Sequence, residues 1–297
     1  MSTLLLLLIS SLAAQVPSPD GDHARNPVYR TLRAEGISAN GVAARLPDPV
    51  LADGAGAEGG LAAIRAVVGD DRAVRELLKD SITAPFVLKA RDVKAGDATI
   101  RVADLYFSVH ATLDEVDLEH SLAQADKADV EAGNMRFGAK TLGPDDLARS
   151  KPEQLPKADG ITGWYSHATG RLLDRIAVEA TDRVVATRTP ESLVVAARTD
   201  HSFDDDPRHP NQWSPLVRKG KEETPGPRRI YQGGGSYVKL TRLAAEPGTL
   251  FVEAHLAFVE PQAWFQGNPI LRSKIGLIAQ DQVRQIRREI EKKRAKK

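Results

Sequence analysis

Apolar residues recur at Leu61, Ile64, Val67, Val68, Val74, Leu77 and Leu78, a helical spacing interrupted by Gly69-Asp70-Asp71. Aspartate caps helix starts and glycine breaks them, so this stretch predicts two helices with a stop between. The period then changes. "APFVLKARDVKAGDATIRVADLYFSVHATL" holds two β-rich runs around the turn "KAGD", a hairpin of residues 85–93 and 98–110. Residues 114–150 are polar and Ala-rich, which suits one or two short helices, the second with Pro144 near its first turn. "RLLDRIAVEATDRVVATRTPESLVVAARTD" reads as three strands separated by "EATD" and "RTPES". "GSYVKLTRLAAEPGTLFVEAHLAFVEP" predicts a second long hairpin that turns at Pro247-Gly248. Ile275, Ile278, Val283, Ile286 and Ile290 form the stripe of a closing helix over residues 269–294.

This order predicts an α+β fold: a curved antiparallel sheet packed against a long C-terminal helix, with a Pro/Gly-rich N-terminal arm. Helix-grip (START-like) folds have the same order, with the sheet wrapped around a C-terminal helix and an apolar cavity. The likeness is one of topology, which does not set function. If Pro247-Gly248 is a two-residue loop, Glu253 falls opposite Arg242 and His255 opposite Leu240. Glu253 is then half of a cross-strand ion pair rather than an acid–base catalyst. His255 becomes a half-buried candidate for lining a pocket.

Leu4–Ile9 is apolar and small residues follow at Ala13 and Ala14. That pattern predicts a secretory leader of residues 1–14, too short to span a bilayer, which takes roughly 20 apolar residues. Residues 15–60 then read as a linker or extended arm, and 61–297 as a single α+β domain with a basic C-terminal helix. The expected setting is export, to the periplasm or outside the cell. The absence of cysteine excludes disulfides, thiol nucleophiles and thiolate metal sites. Lys and Arg number 41 against 40 Asp and Glu, so no bulk charge points to nucleic acid. The last turns are basic: Arg284, Arg287, Arg288, Lys292, Lys293, Arg294, Lys296 and Lys297 against Glu289 and Glu291. Such a tail suits a solvated helix end or weak contact with an anionic membrane surface.

The chain has no Walker A, GxGxxG, GxSxG or HExxH motif, so no cofactor is expected and no residue is assigned to catalysis. "TDHSFDDDPRHPNQW" concentrates oxygen and imidazole donors, and His201, Asp204, Asp206 and His209 are its metal candidates. Contiguous aspartates project in different directions, however, and Asp-Pro and His-Pro steps suit an exposed loop. Phe203 and Trp213 argue that this loop folds back on the body. "GITGWYSHATG" sets Trp164, Tyr165 and His167 together before a strand, either as polar ligand contacts at a cavity mouth or as an aromatic plug. "SITAPFVLKARD" and "FVEPQAWFQGNPILRSKIGLIAQDQVRQIRR" resemble segments of a family of exported bacterial proteins; the resemblance brings no activity, ligand or catalytic residue. Three readings follow. The first is a binding or interaction module holding an apolar or amphiphilic ligand between sheet and helix, which asks for a cavity of roughly 300 Å³. The second is a metal-assisted or acid–base hydrolase using the Asp200–His209 loop, and the third a structural envelope protein. Binding or interaction ranks above catalysis.

Overall fold

Alternation along Leu250–Pro261 puts Leu250, Val252, Ala254, Leu256 and Phe258 on one face of a sheet and Phe251, Glu253, His255, Ala257 and Val259 on the other. Both rows are almost wholly buried, so the sheet is covered on both sides. The computed structural model describes residues 23–116, 130–132, 135–219, 222–265 and 270–295. The leader expected at residues 1–14 lies outside them, as do Lys296 and Lys297.

The arm opens with helix α1 (Pro27–Ala34) and a small hairpin of β1 (Ile37–Ala39) and β2 (Val42–Ala44). Helices α2 (Ala57–Val68) and α3 (Asp71–Leu77) follow. Gly69 closes α2 at φ +109°, and the Asp70 carboxylate caps α3 through the Ala73 N–H. The expected first hairpin is β3 (Val87–Ala95) and β4 (Ala98–Val109). Next come β5 (Val130–Ala132), β6 (Met135–Thr141), α4 (Pro144–Ser150), β7 (Ile161–Leu172), β8 (Ile176–Arg188) and β9 (Ser192–Thr199). Short strands β10 (Gln212–Lys219), β11 (Glu222–Pro225) and β12 (Arg229–Ile230) precede the hairpin β13 (Gly234–Arg242) and β14 (Leu250–Pro261), and α5 (Ile270–Arg294) closes the chain. One antiparallel sheet runs β3-β4-β14-β13-β9-β8-β7-β6-β5, with β10 to β12 attached through β8. The inner face packs on α5 through Ala279, Val283, Ile286 and Ile290. The outer face is covered by α1 and the β1–β2 hairpin at one end and by α2 and α3 at the other.

Four expectations need correction. "EATD" does not separate strands: β8 runs 13 residues straight through it, because Glu179 and Asp182 both have register partners on each side. "GITGWYSHATG" is the interior of β7 rather than a lead-in to a strand. Residues 130–132 and 135–141 form β5 and β6 in the stretch 114–150, where only short helices were expected. The linker reading of residues 15–60 fails from Pro27 onward. Asn26 caps α1 through the Tyr29 N–H, Pro27 suits its first turn, and Val28, Tyr29 and Leu32 are buried against the sheet.

The arm sits close. A Cβ on Gly235 would come within 2.5 Å of a Leu32 methyl, 2.9 Å of Ile37 and 3.2 Å of the Ala197 carbonyl oxygen. Gly235→Ala should therefore cost about 1–3 kcal/mol in urea unfolding, the usual range for overpacking.

The second hairpin carries another register than the two-residue turn implies. Residues 243–249 form the connection, closed by Leu243 N–H to Thr249 O and Thr249 N–H to Glu246 O. Glu253 therefore faces Lys239, His255 faces Tyr237, and Arg242 faces Leu250. The Glu253–Arg242 pair does not exist. Glu253 is 0% exposed and His255 1%.

Candidate ligand-binding site

Two adjoining chambers lie on the inner face. The first, about 100 Å³, is bounded by alternate residues of β7 (Ser166, Ala168, Gly170, Leu172) and β8 (Val178, Ala180, Asp182, Val184), with Thr199, Tyr231, Ser236 and Trp264. The second, about 90 Å³, lies under α5 between Leu88, Ala103, Leu105 and Ala254 of the sheet and Leu271, Ile275, Ile278, Ala279 and Gln282 of the helix. Phe137, Leu172, Leu256 and Phe258 line both and form the partition. Neither chamber reaches the roughly 300 Å³ that the binding reading asks for. These four bulky side chains take up the space between the sheet's inner face and α5. A groove of about 490 Å³ beside Trp213, Arg229, Ile230 and Gln262 is larger, but it lies open at the surface.

The polar groups on these walls are few and specific. Gln282 is 2% exposed, and its Oε1 has no hydrogen-bond partner among the described residues. The same holds for the indole N–H of Trp264. An unpaired buried polar atom costs about 1–3 kcal/mol, so each is a strong bidder for a ligand or an ordered water. The Asp182 carboxylate accepts from Thr199 Oγ1 at 3.0 Å. Burial raises its pKa against the effect of that bond.

Asp182 stands where the sheet forks. β8 pairs with β9 from Asp182 onward and with β10 up to Glu179. Between them the Thr181 N–H donates to Asn211 Oδ1, and the Thr181 carbonyl accepts from the Asp200 N–H. The 200–211 loop is thus a plug for the fork. Phe203 is fully buried and Trp213 nearly so, which folds this loop back on the body.

The residues singled out from the sequence scatter. Trp164 faces inward among core side chains, while Tyr165 and His167 lie on the outer face of the same strand. The Tyr165 hydroxyl donates to Glu153 O at 2.7 Å and lies 3.1 Å from Asp200 Oδ2. His167 Nδ1 is 2.9 Å from Thr181 Oγ1, and its ring meets His209 edge-on at 5.1 Å. His255 is also on the outer face, so three of the four proposed ligand contacts turn away from the cavity. In the Asp200–His209 loop, exposed His201 approaches Asp204 at 3.2 Å, and Asp204 accepts from Asn211 Nδ2. Asp206 accepts from Ser150 Oγ and from the N–H groups of Arg208 and His209. Among the described residues no three His, Asp or Glu side chains converge as a metal site. The basic tail is not one cationic face either. Arg287 is buried against the carbonyls of Ala84, Pro85 and Ser108, and burial pushes its pKa down to about 10.

The outer face carries a polar network that sequence reading missed. Lys239, 3% exposed, donates to Asp53 Oδ1 at 2.8 Å and to Leu51 O at 2.7 Å. Ser192 Oγ donates to Asp53, and His23 Nε2 lies 2.7 Å from Ser192 Oγ. Glu253 accepts from the Val50 and Leu51 N–H groups at 2.6 and 3.0 Å. Residues 47–53 are thereby pinned across β13 and β14. Burial opposes ionisation of Asp53, but Lys239 and the Ser192 and Thr189 hydroxyls outweigh it and hold the carboxyl below its ordinary range.

No family model and no curated protein matches the chain. The resemblance to exported bacterial proteins therefore gains no family from these comparisons. Among solved structures the chain is similar to the human StarD13 (DLC2) lipid transfer and protein localization domain. The identity is 8% and the TM-score 0.34, over 66% of this chain and 88% of that one.

Proposed function

We propose that the protein is a binding module for a small apolar or amphiphilic molecule held between the inner face of the sheet and α5. The observation that carries this reading is a pair of apolar chambers whose walls keep Gln282 Oε1 buried and without a partner. A core that served packing alone gains nothing from an amide there, because a leucine would fill the space without the desolvation penalty. The chamber volumes suit a small or single-chain ligand, and rotation of Phe137 or Leu256 would join the two. Export is part of the same proposal and rests on the leader pattern of Leu4–Ile9 and Ala13-Ala14.

Toluene tests the cavity without invoking a head group. Ligands that bind only the native state stabilise it by mass action. Saturating toluene should raise the Tm of the wild type and leave that of Leu256→Trp unchanged, because the indole fills the partition shared by both chambers. Equal shifts in both proteins, or none in either, would remove the reading.

A further inference from the structure

The groups on the chamber walls also indicate which amphiphile fits, an inference that rests on the cavity reading above. Among the described residues Asp182 is the one carboxyl side chain lining the chambers, and no Lys, Arg or His lines either of them. A buried anionic head group would therefore meet no cation and would face a carboxyl besides. Asp182 is partly accessible, and its hydrogen bond within the protein comes from a neutral hydroxyl, Thr199. Beside it Tyr231 keeps its phenolic proton, because burial and the Asp182 charge both raise its pKa. The second chamber offers a further acceptor, Gln282 Oε1, among aliphatic side chains. The wall thus offers two acceptors, Asp182 and Gln282 Oε1, and no cation; its donors are neutral, the Trp264 indole N–H and the Tyr231 hydroxyl among them.

We propose that Asp182 receives the hydrogen-bond-donating head group, a hydroxyl or an amine, of a small single-chain amphiphile whose tail lies under α5 between Leu105, Leu256, Ile275 and Ile278. Octanol, octylamine and octanoate share a tail and differ only in the head, so calorimetric titration of the full chain at neutral pH separates these heads. Octanol and octylamine should bind the wild type at least about tenfold more tightly than octanoate, the scale of one hydrogen bond. Asp182→Asn keeps the side chain's shape and supplies an N–H donor, so octylamine should weaken, octanoate should tighten, and the preference should shrink to within about threefold. Octanoate binding the wild type as tightly as octanol would overturn the assignment. So would an unchanged preference in Asp182→Asn, or failure of all three compounds to bind. In each of these cases stabilisation by toluene would leave the cavity reading standing, whereas loss of the toluene effect removes both. If Asp182→Asn does not fold by circular dichroism, the order of the three heads on the wild type still decides.

Discussion

Replacing Lys239 with methionine should lower the unfolding free energy by about 3–5 kcal/mol, a large share of the roughly 5–15 kcal/mol that holds a domain together. Methionine keeps much of the volume, so the loss is electrostatic. The Asp53 carboxylate keeps the Ser192 and Thr189 hydroxyls but loses its only ammonium partner among the described residues. The Leu51 carbonyl loses its donor from Nζ. The damage should centre on the arm, because both acceptors belong to residues 51–53 and their shared donor, Lys239 Nζ, belongs to the sheet. Amide exchange would then report faster opening at Val50 and Leu51, whose N–H groups bind Glu253, than along β4 or β14. The double variant Asp53→Asn with Lys239→Met removes the stranded charge. It should recover at least half of the loss by chemical denaturation, since the penalty lies in leaving one partner buried alone. Additive losses in the double variant would show that the ion pair is not what pins the arm.

The network behind this prediction was invisible along the sequence, for a physical reason. Asp53 and Lys239 are far apart in the chain, and nothing local marks residues 47–53, with Pro47 and Pro49, as a strap rather than a linker. Elements with a local period were legible: the break at Gly69-Asp70, the hairpin around "KAGD", and α5 with its isoleucine stripe all appear where the pattern puts them. Register was not legible. It depends on the length of the 243–249 connection, and Pro247-Gly248 looks like a complete turn by itself. The candidate site was half legible. In β8, Asp182 is the polar residue in phase with Ile176, Val178, Ala180, Val184 and Ala186. Gln282 likewise breaks the stripe Leu271, Ile275, Ile278, Val283 and Ile286. Those two in-phase exceptions marked the cavity wall. Reading "EATD" as a turn hid the first of them, and density of His and Asp drew attention instead to a loop whose side chains are occupied in plugging the fork.

Stability should also depend on pH through His255, and its sign is fixed by what surrounds the ring. Asp104 Oδ1 lies 2.7 Å from Nδ1 and Glu253 3.9 Å from Nε2, while Tyr106 and Tyr237 close the sides. Burial alone would lower the pKa of the imidazolium. The two carboxylates outweigh burial and hold it above the ordinary 6.5. A group whose folded pKa is raised contributes stability that is complete below its unfolded pKa and fades as pH rises through the folded one. Asp53 works in the opposite sense: its folded pKa lies below the ordinary 3.8, so its contribution is complete above that value and fades as pH falls through the folded one. The unfolding free energy should therefore peak between these limits and decline on both sides. His255→Phe isolates the alkaline limb. At pH 6 it should cost about 3 kcal/mol, because it leaves two carboxylates facing an apolar ring. The gap from the wild type should narrow as pH rises past the folded pKa of His255, where the wild-type ring also becomes neutral. Urea titrations of both proteins across that range measure the gap directly. A gap that stays constant or widens with pH would mean that His255 is neutral in the folded protein and that its bond to Asp104 is an uncharged one.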